Sequence, residues 1–146
     1  MMDRRAALGS AIAVAGLRLT APPARASEVT SKSVATPPGN TCIETCTIAH
    51  RQCLLAAVYL VGKDRSPASI QLIATLMDCA ELCQATANSM IRKSSQHMLL
   101  CAACAQLCEI CARSCENHGE DTVLGNCAAV CRSCARQCRD MARMPM

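Results

Sequence analysis

The sequence predicts an all-α fold, an antiparallel up-down-up-down four-helix bundle with a cysteine-lined core. Three observations carry this. The 146-residue chain has 14 Cys and 8 Met, a single Tyr, and neither Phe nor Trp. Its apolar half is therefore Ala, Leu, Cys and Met, small or strongly helix-forming residues with few β-branched runs. Four stretches place apolar residues at alternating steps of three and four, the spacing of one helix face. Start and stop signals separate these stretches by connections short enough to make sequential helices antiparallel. The length allows one domain.

Taken in order, residues 1–26 read as an export signal. Arg4-Arg5 forms a basic start, and Ala6 to Leu17 is apolar but too short to span a bilayer. Ala24-Arg25-Ala26 has the A-x-A form of a cleavage site, which makes Ser27 the first mature residue. The paired arginines fit the twin-arginine route, although Asp3-Arg4-Arg5-Ala6-Ala7-Leu8 lacks the Phe common after the pair. A plain secretory signal is the alternative. The twin-arginine route carries folded protein, so the thiols would fold and meet metal in a reducing cytosol before reaching the periplasm. Residues 27–40 are polar, contain Pro37-Pro38-Gly39, and read as a flexible leader.

The bundle is expected over residues 41–141. Thr41 and Glu44 form a capping box at the start of the first helix, which runs to about Val61 with Gly62 at its end. Its seam is Cys42, Cys46, Ala49, Cys53, Ala56, Leu60. The second helix starts at Ser66 with Pro67 in its first turn. Its seam is Ser69, Leu72, Leu76, Cys79, Cys83, Thr86, Met90, and Ser94-Ser95 breaks it and caps the next helix. The third helix carries His97, Cys101, Cys104, Cys108, Cys111, Cys115 and His118, five thiols with an imidazole at each tip, before Gly119. The fourth follows Asp121 and reads Leu124, Cys127, Cys131, Cys134, Cys138, Met141. Gly125-Asn126 weakens its first turn, so a late start is expected. Residues 142–146 form a tail in which Met144 and Met146 are expected to be disordered.

Antiparallel packing sorts these seams by end. Cys42, Cys46, Cys79, Cys83, Cys101 and Cys138 gather at one end with Met90, His97, Met98 and Met141. Leu60, Leu72, Leu76 and Leu124 gather at the other. The expectation is a thiol-lined tube opening under a Met/His rim and closed at the far end by a leucine plug.

Soft sulfur ligands select Cu(I), Zn(II) or iron–sulfur clusters. A zinc ion held by four thiolates leaves two net negative charges, and repeating that inside a core is costly. A rigid helical seam cannot wrap a cluster as the known cysteine loops do. Cu(I) needs only two thiolates. If each sulfur bridges two metals, copper and thiolate approach one-to-one, and Cu(I) replaces H⁺ without changing the core's charge; 14 cysteines then suit up to roughly 14 ions. Cysteines four apart, such as Cys42/Cys46, Cys79/Cys83, Cys104/Cys108, Cys111/Cys115, Cys127/Cys131 and Cys134/Cys138, chelate on a single helix. Met90 and Met141 are candidate thioether ligands, and His97 a candidate rim ligand. His118 lies at the plugged end, and His50 sits beside the seam, partly exposed.

The alternative reading is a disulfide-stapled scaffold, usual for an exported, cysteine-rich chain with an even cysteine count. Staples join distant elements sparsely, whereas these cysteines pack at seam spacing. A copper chaperone with one or two exposed sites is a further alternative, disfavoured by the number of inward thiols.

The formal net charge is +4. Four arginines against one aspartate leave +3 in residues 1–26 and +1 in the remainder. A near-neutral domain with one aromatic residue and no basic stripe gives no support for nucleic-acid binding. No acid/base pair, activated nucleophile or phosphate loop is present, so no enzyme is expected. Leu54, Leu55, Val58, Leu99, Leu100, Leu107 and Ile110 exceed what a narrow seam needs, and the surplus hints at a homo-oligomer face.

Cys101-x2-Cys104-x3-Cys108-x2-Cys111-x3-Cys115, Cys127-x3-Cys131-x2-Cys134-x3-Cys138 and the paired cysteines of the first two helices resemble the bacterial copper storage proteins. The resemblance covers about residues 41–141 and involves all four helices. It implies a four-helix bundle whose core cysteines bind many Cu(I), commonly a homotetramer, with metal entering at one Met/His-bearing end. Exported members resembling this one carry a twin-arginine signal, and others are cytosolic; no membrane attachment is expected for this chain after signal removal. The chain lacks a His/Met-rich leader, and neither copper donor nor recipient is legible.

Overall fold

The computed structural model describes residues 38–145, so the expected export signal and most of the leader lie outside the described residues. Four helices follow in order: α1 (Pro38–Lys63), α2 (Pro67–Ile91), α3 (His97–Asn117) and α4 (Thr122–Met141). They form a ring in which α1 packs on α2 and α4, and α3 packs on α2 and α4. The antiparallel order shows where Cys42 near the start of α1 meets Cys138 near the end of α4, and Tyr59 near the end of α1 meets Asp121 at the start of α4.

The helix boundaries show which local signals decided. α1 begins three residues before the expected Thr41, because Pro38 needs no backbone partner in a first turn and has a preset φ. Thr41 therefore lies inside the helix rather than at its cap. α2 starts as expected. The Ser66 side chain accepts from the Ser69 amide at 3.2 Å, Pro67 follows, and Asp64 Oδ2 holds the Ser66 hydroxyl at 2.6 Å.

The break after α2 belongs to Lys93 rather than to Ser94-Ser95. Lys93 takes φ 52°, while its amide donates to Met90 O at 2.9 Å and the Ser94 amide to Ser89 O at 3.0 Å. This is a Schellman closure with lysine in the position glycine usually fills. α4 does not start late. Asp121 accepts from the Val123 and Leu124 amides at 2.9 and 3.1 Å, which offsets the weak Gly125-Asn126 turn.

The core is made of cysteine, alanine and leucine. All fourteen cysteines are at most 1% exposed. Beside them lie buried Ala80, Ala105, Ala112, Ala128 and Ala135, each directly following a seam cysteine. This Cys-Ala dipeptide is a sequence signal beyond the seam itself. A small residue next to these five thiols helps keep the interhelical space narrow enough for sulfur to fill it without aromatic side chains.

Among the described residues α3 alone is long and apolar enough to cross a membrane, but its apolarity comes largely from cysteines turned into the bundle. Of the off-seam residues, Leu54 and Leu107 pack against the core and Leu100 is half-buried, while Leu55, Val58, Leu99 and Ile110 are exposed.

Candidate metal centre

The fourteen thiols form one sulfur column along the bundle axis. At the Met-bearing end, Cys42, Cys101 and Cys138 converge from α1, α3 and α4. One step inward, Cys46, Cys104, Cys134 and Cys138 form a second group, and Cys83, Cys104, Cys108 and Cys134 a third. Cys53, Cys79, Cys111 and Cys131 then meet, one from each helix, and Cys111, Cys115 and Cys127 close the series. Within each group all sulfurs lie within 4.8 Å of one another. Two sulfurs sharing one soft ion stand at most about two bond lengths apart, roughly 4.6 Å by the zinc–sulfur bond, so the spacing suits metal.

The groups overlap. Cys104, Cys111, Cys134 and Cys138 each belong to two of them, and Cys79 lies 3.7 Å from Cys108, joining the two halves of the column. Ions bound in neighbouring groups therefore share a sulfur within each half of the column, and the halves meet at Cys79 and Cys108. All fourteen are free thiols, and Cys46 and Cys138 approach to 3.4 Å.

Hydrogen bonding among the thiols splits their acidity. Cys104 is held below the ordinary thiol range by hydrogen bonds from Cys108, Cys134, Cys138 and Cys46. Cys108 is pushed above it by hydrogen bonds to Cys104, Cys131, Cys134 and Cys79, with burial adding to the rise. Cys53 is likewise raised, through Cys111, Cys127, Cys131 and Cys79 and through burial. A buried thiolate is tolerated only where neighbouring S–H groups point at it. The column without metal is thus a proton-holding network.

The column runs further than the sorting of ends implied. Cys111, Cys115 and Cys127 carry it on α3 and α4 into the end where α1 and α2 supply Leu60, Leu72 and Leu76, all buried. Nor is it an open tube. Met90, 2% exposed, puts its Sδ 3.7 Å from Cys101 Sγ, and Met141, 4% exposed, lies one turn beyond Cys138. Met90 thus stands against the first thiol group, with Met141 buried at the same end.

The structure places His97 at the same end but turns it away from sulfur. Its Nδ1 lies 3.0 Å from Ser94 O and its Nε2 2.9 Å from Met144 O. Met144, expected in a disordered tail, is held by that contact, whereas Met146 lies outside the described residues. At the plugged end His118 Nε2 lies 3.1 Å from Ser69 Oγ. His50 Nδ1 contacts Ala80 O at 2.9 Å.

Comparison with known proteins fits this geometry. A copper storage protein profile matches residues 30–143. The chain belongs to the copper storage protein family. The structure of the Nmul_A1745 protein from Nitrosospira multiformis is 32% identical, with a TM-score of 0.66 and alignment over 72% of this chain and 94% of that one. Copper storage protein 3 from Bacillus subtilis, in its apo form, is 30% identical, with a TM-score of 0.63 over 71% and 98% of the two chains. The Cu(I)-bound copper storage protein BsCsp3 is 27% identical, with a TM-score of 0.68 over 73% and 99%. No curated protein sequence matches the chain. The family's cysteine-lined four-helix bundle is thus the fold on which this sulfur column is built.

Proposed function

We propose that the chain stores Cu(I) in its sulfur column, with all fourteen cysteines as thiolate ligands and Met90 and Met141 as thioether ligands at the end nearest solvent. The observation that carries this is the overlap of the thiol groups. Isolated four-thiolate sites would each bury net charge, whereas a continuous column lets bridging sulfurs approach one copper per thiolate, and each Cu(I) then replaces a proton at constant charge. Copper is cargo here, taken up and released without a chemical step, so the role is non-enzymatic.

The exposed row Ile48, Leu55, Val58 and Val61 on α1 supports self-association, with a homotetramer as the family's arrangement. The arginine pair and cleavage site support export through the twin-arginine route to the periplasm, as soluble protein.

The test is an anaerobic Cu(I) titration of reduced protein from Ser27 onward against a competing chelator. Storage predicts uptake of about ten or more Cu(I) per chain before the competitor begins to bind. Saturation at one or two would indicate a chaperone. No uptake, with few thiols detectable before reduction, would indicate a disulfide-stapled bundle.

A further inference from the structure

A store whose every thiol is at most 1% exposed is sealed, and copper cannot reach it without movement. The two ends differ in how they are closed. At the leucine end, Lys63 and Tyr59 both hold Asp121 at 2.6 Å, Ser69 pairs with His118, and Leu60, Leu76 and Leu124 are fully packed. At the methionine end the closure is slighter. The turn after α4 is held to its own helix by Ala142 N to Cys138 O at 2.9 Å, Arg143 N to Asp140 O at 3.1 Å and Met144 N to Met141 O at 3.2 Å. Ala142 is half-buried, and Arg143, Met144 and Pro145 are exposed. Among the described residues, the turn's hydrogen bond to another helix is the one from His97 Nε2 to Met144 O.

His97 stands one turn outward of Cys101, and Met141 one turn outward of Cys138. The His97–Met144 bond therefore ties α3 to α4 just outside the group Cys42, Cys101 and Cys138. His97 is itself 2% exposed and held from behind by Ser94 O. Both ring nitrogens face a carbonyl oxygen, and in the tautomer that carries its hydrogen on Nε2 the ring donates to Met144 O; a short exposed turn held by one such bond is among the least costly elements to open.

We propose that residues 142–145 are a strap over the mouth of the sulfur column, latched by His97, and that Cu(I) reaches Cys42, Cys101 and Cys138 when the strap lifts. His97 is on this account a positioning residue that sets the rate of loading rather than a ligand that adds to capacity. The inference rests on the storage reading for its copper step, but the strap itself concerns access to thiols.

The test compares the full mature chain with two variants, one lacking residues 143–146 and one carrying His97→Ala. The first leaves Met141 and the packed core in place, and circular dichroism checks that both keep their helices. Two rates are read: modification of apo thiols by an aromatic disulfide reagent, and Cu(I) transfer from a chelator complex. Loss of one hydrogen-bonded latch should raise both rates about five- to tenfold in both variants, with copper capacity unchanged. Unchanged rates in the shortened chain would overturn the proposal. So would slower copper uptake in His97→Ala alone, which would make His97 a ligand. Faster thiol modification without multi-copper uptake by any of the three proteins would keep the strap and refute storage.

Discussion

Cys46 Sγ lies 3.4 Å from Cys138 Sγ on a different helix, closer than Cys134 Sγ, which lies 3.9 Å from Cys138 on the same helix. Likewise Cys83 reaches Cys108 at 3.5 Å across helices, against 3.9 Å between Cys104 and Cys108 within one. Chelation by cysteines four apart is thus one option among equals, and bridging between helices is at least as well prepared. Loading should for this reason tighten the bundle as well as fill it.

Sharing makes the cysteines unequal. Cys138 belongs to two groups and Cys115 to one. Cys138→Ala should lower the Cu(I) count by about two and Cys115→Ala by about one, read by anaerobic titration against a competitor. Equal losses would mean that the ions occupy separate sites.

Loading should also release protons. Cys53 and Cys108, raised by their thiol neighbours and by burial, hold protons through the neutral range. Metal requires the thiolate. In weakly buffered solution, a pH indicator should report protons released as Cu(I) binds, fewer than one per ion because thiols such as Cys104 are held below the ordinary range. Because the thiols must lose protons to bind, apparent affinity should rise with pH, and the competitor should win more copper at about pH 6 than at about pH 8. No proton release on loading would mean that Cys53 and Cys108 are already thiolate before copper arrives.

The seam was legible because a helix repeats every 3.6 residues, and thiols at steps of three and four have one face to occupy. That gave all fourteen buried cysteines and the buried Met90 and Met141. The polarity of Leu against Cys along α1 and α2 gave the asymmetry of the ends. What periodicity could not give was closure. Whether Met144 is free or held depends on a carbonyl meeting His97 from 47 positions away, and no local pattern encodes that. The start of α4 differs from expectation for a local reason: Asp121 accepts from the Val123 and Leu124 amides, and that cap outweighs the weak Gly125-Asn126 turn. Lys93 in a left-handed cap, where glycine is usual, is another choice made by the surrounding bonds.

The leucine plug should contribute to stability and not to capacity. Leu76 is fully buried at the end of the bundle away from Met90. Leu76→Ala should cost the apo protein about 2–5 kcal/mol, from lost burial and the cavity left behind, read by denaturant unfolding under reducing conditions. Its Cu(I) count should match the unaltered chain, and loading should restore part of the lost stability, to the extent that copper binds the folded column more tightly than the thiols of the unfolded chain. A fall in copper count would place metal among the leucines.

Asp121 joins α1 to α4 at the plugged end, and its charge can be tested separately from its cap. The Lys63 ammonium and the Tyr59 hydroxyl beside it hold its carboxyl well below the ordinary range. A carboxyl whose folded-state value is depressed stabilises the fold above its unfolded value, about 3.9, and loses that contribution as pH falls toward the folded value. Asp121→Asn keeps a good helix cap but removes the ion pair. Its Tm should lie below that of the unaltered chain at neutral pH, and the gap should close as pH falls below about 3.9. Asp64, held down to about 2 by Ser66 and Ser69, loses its contribution over the same acid range in both proteins, so the difference between their curves isolates Asp121. A gap independent of pH would show that Asp121 serves the cap alone, with the contact to Lys63 contributing nothing to stability.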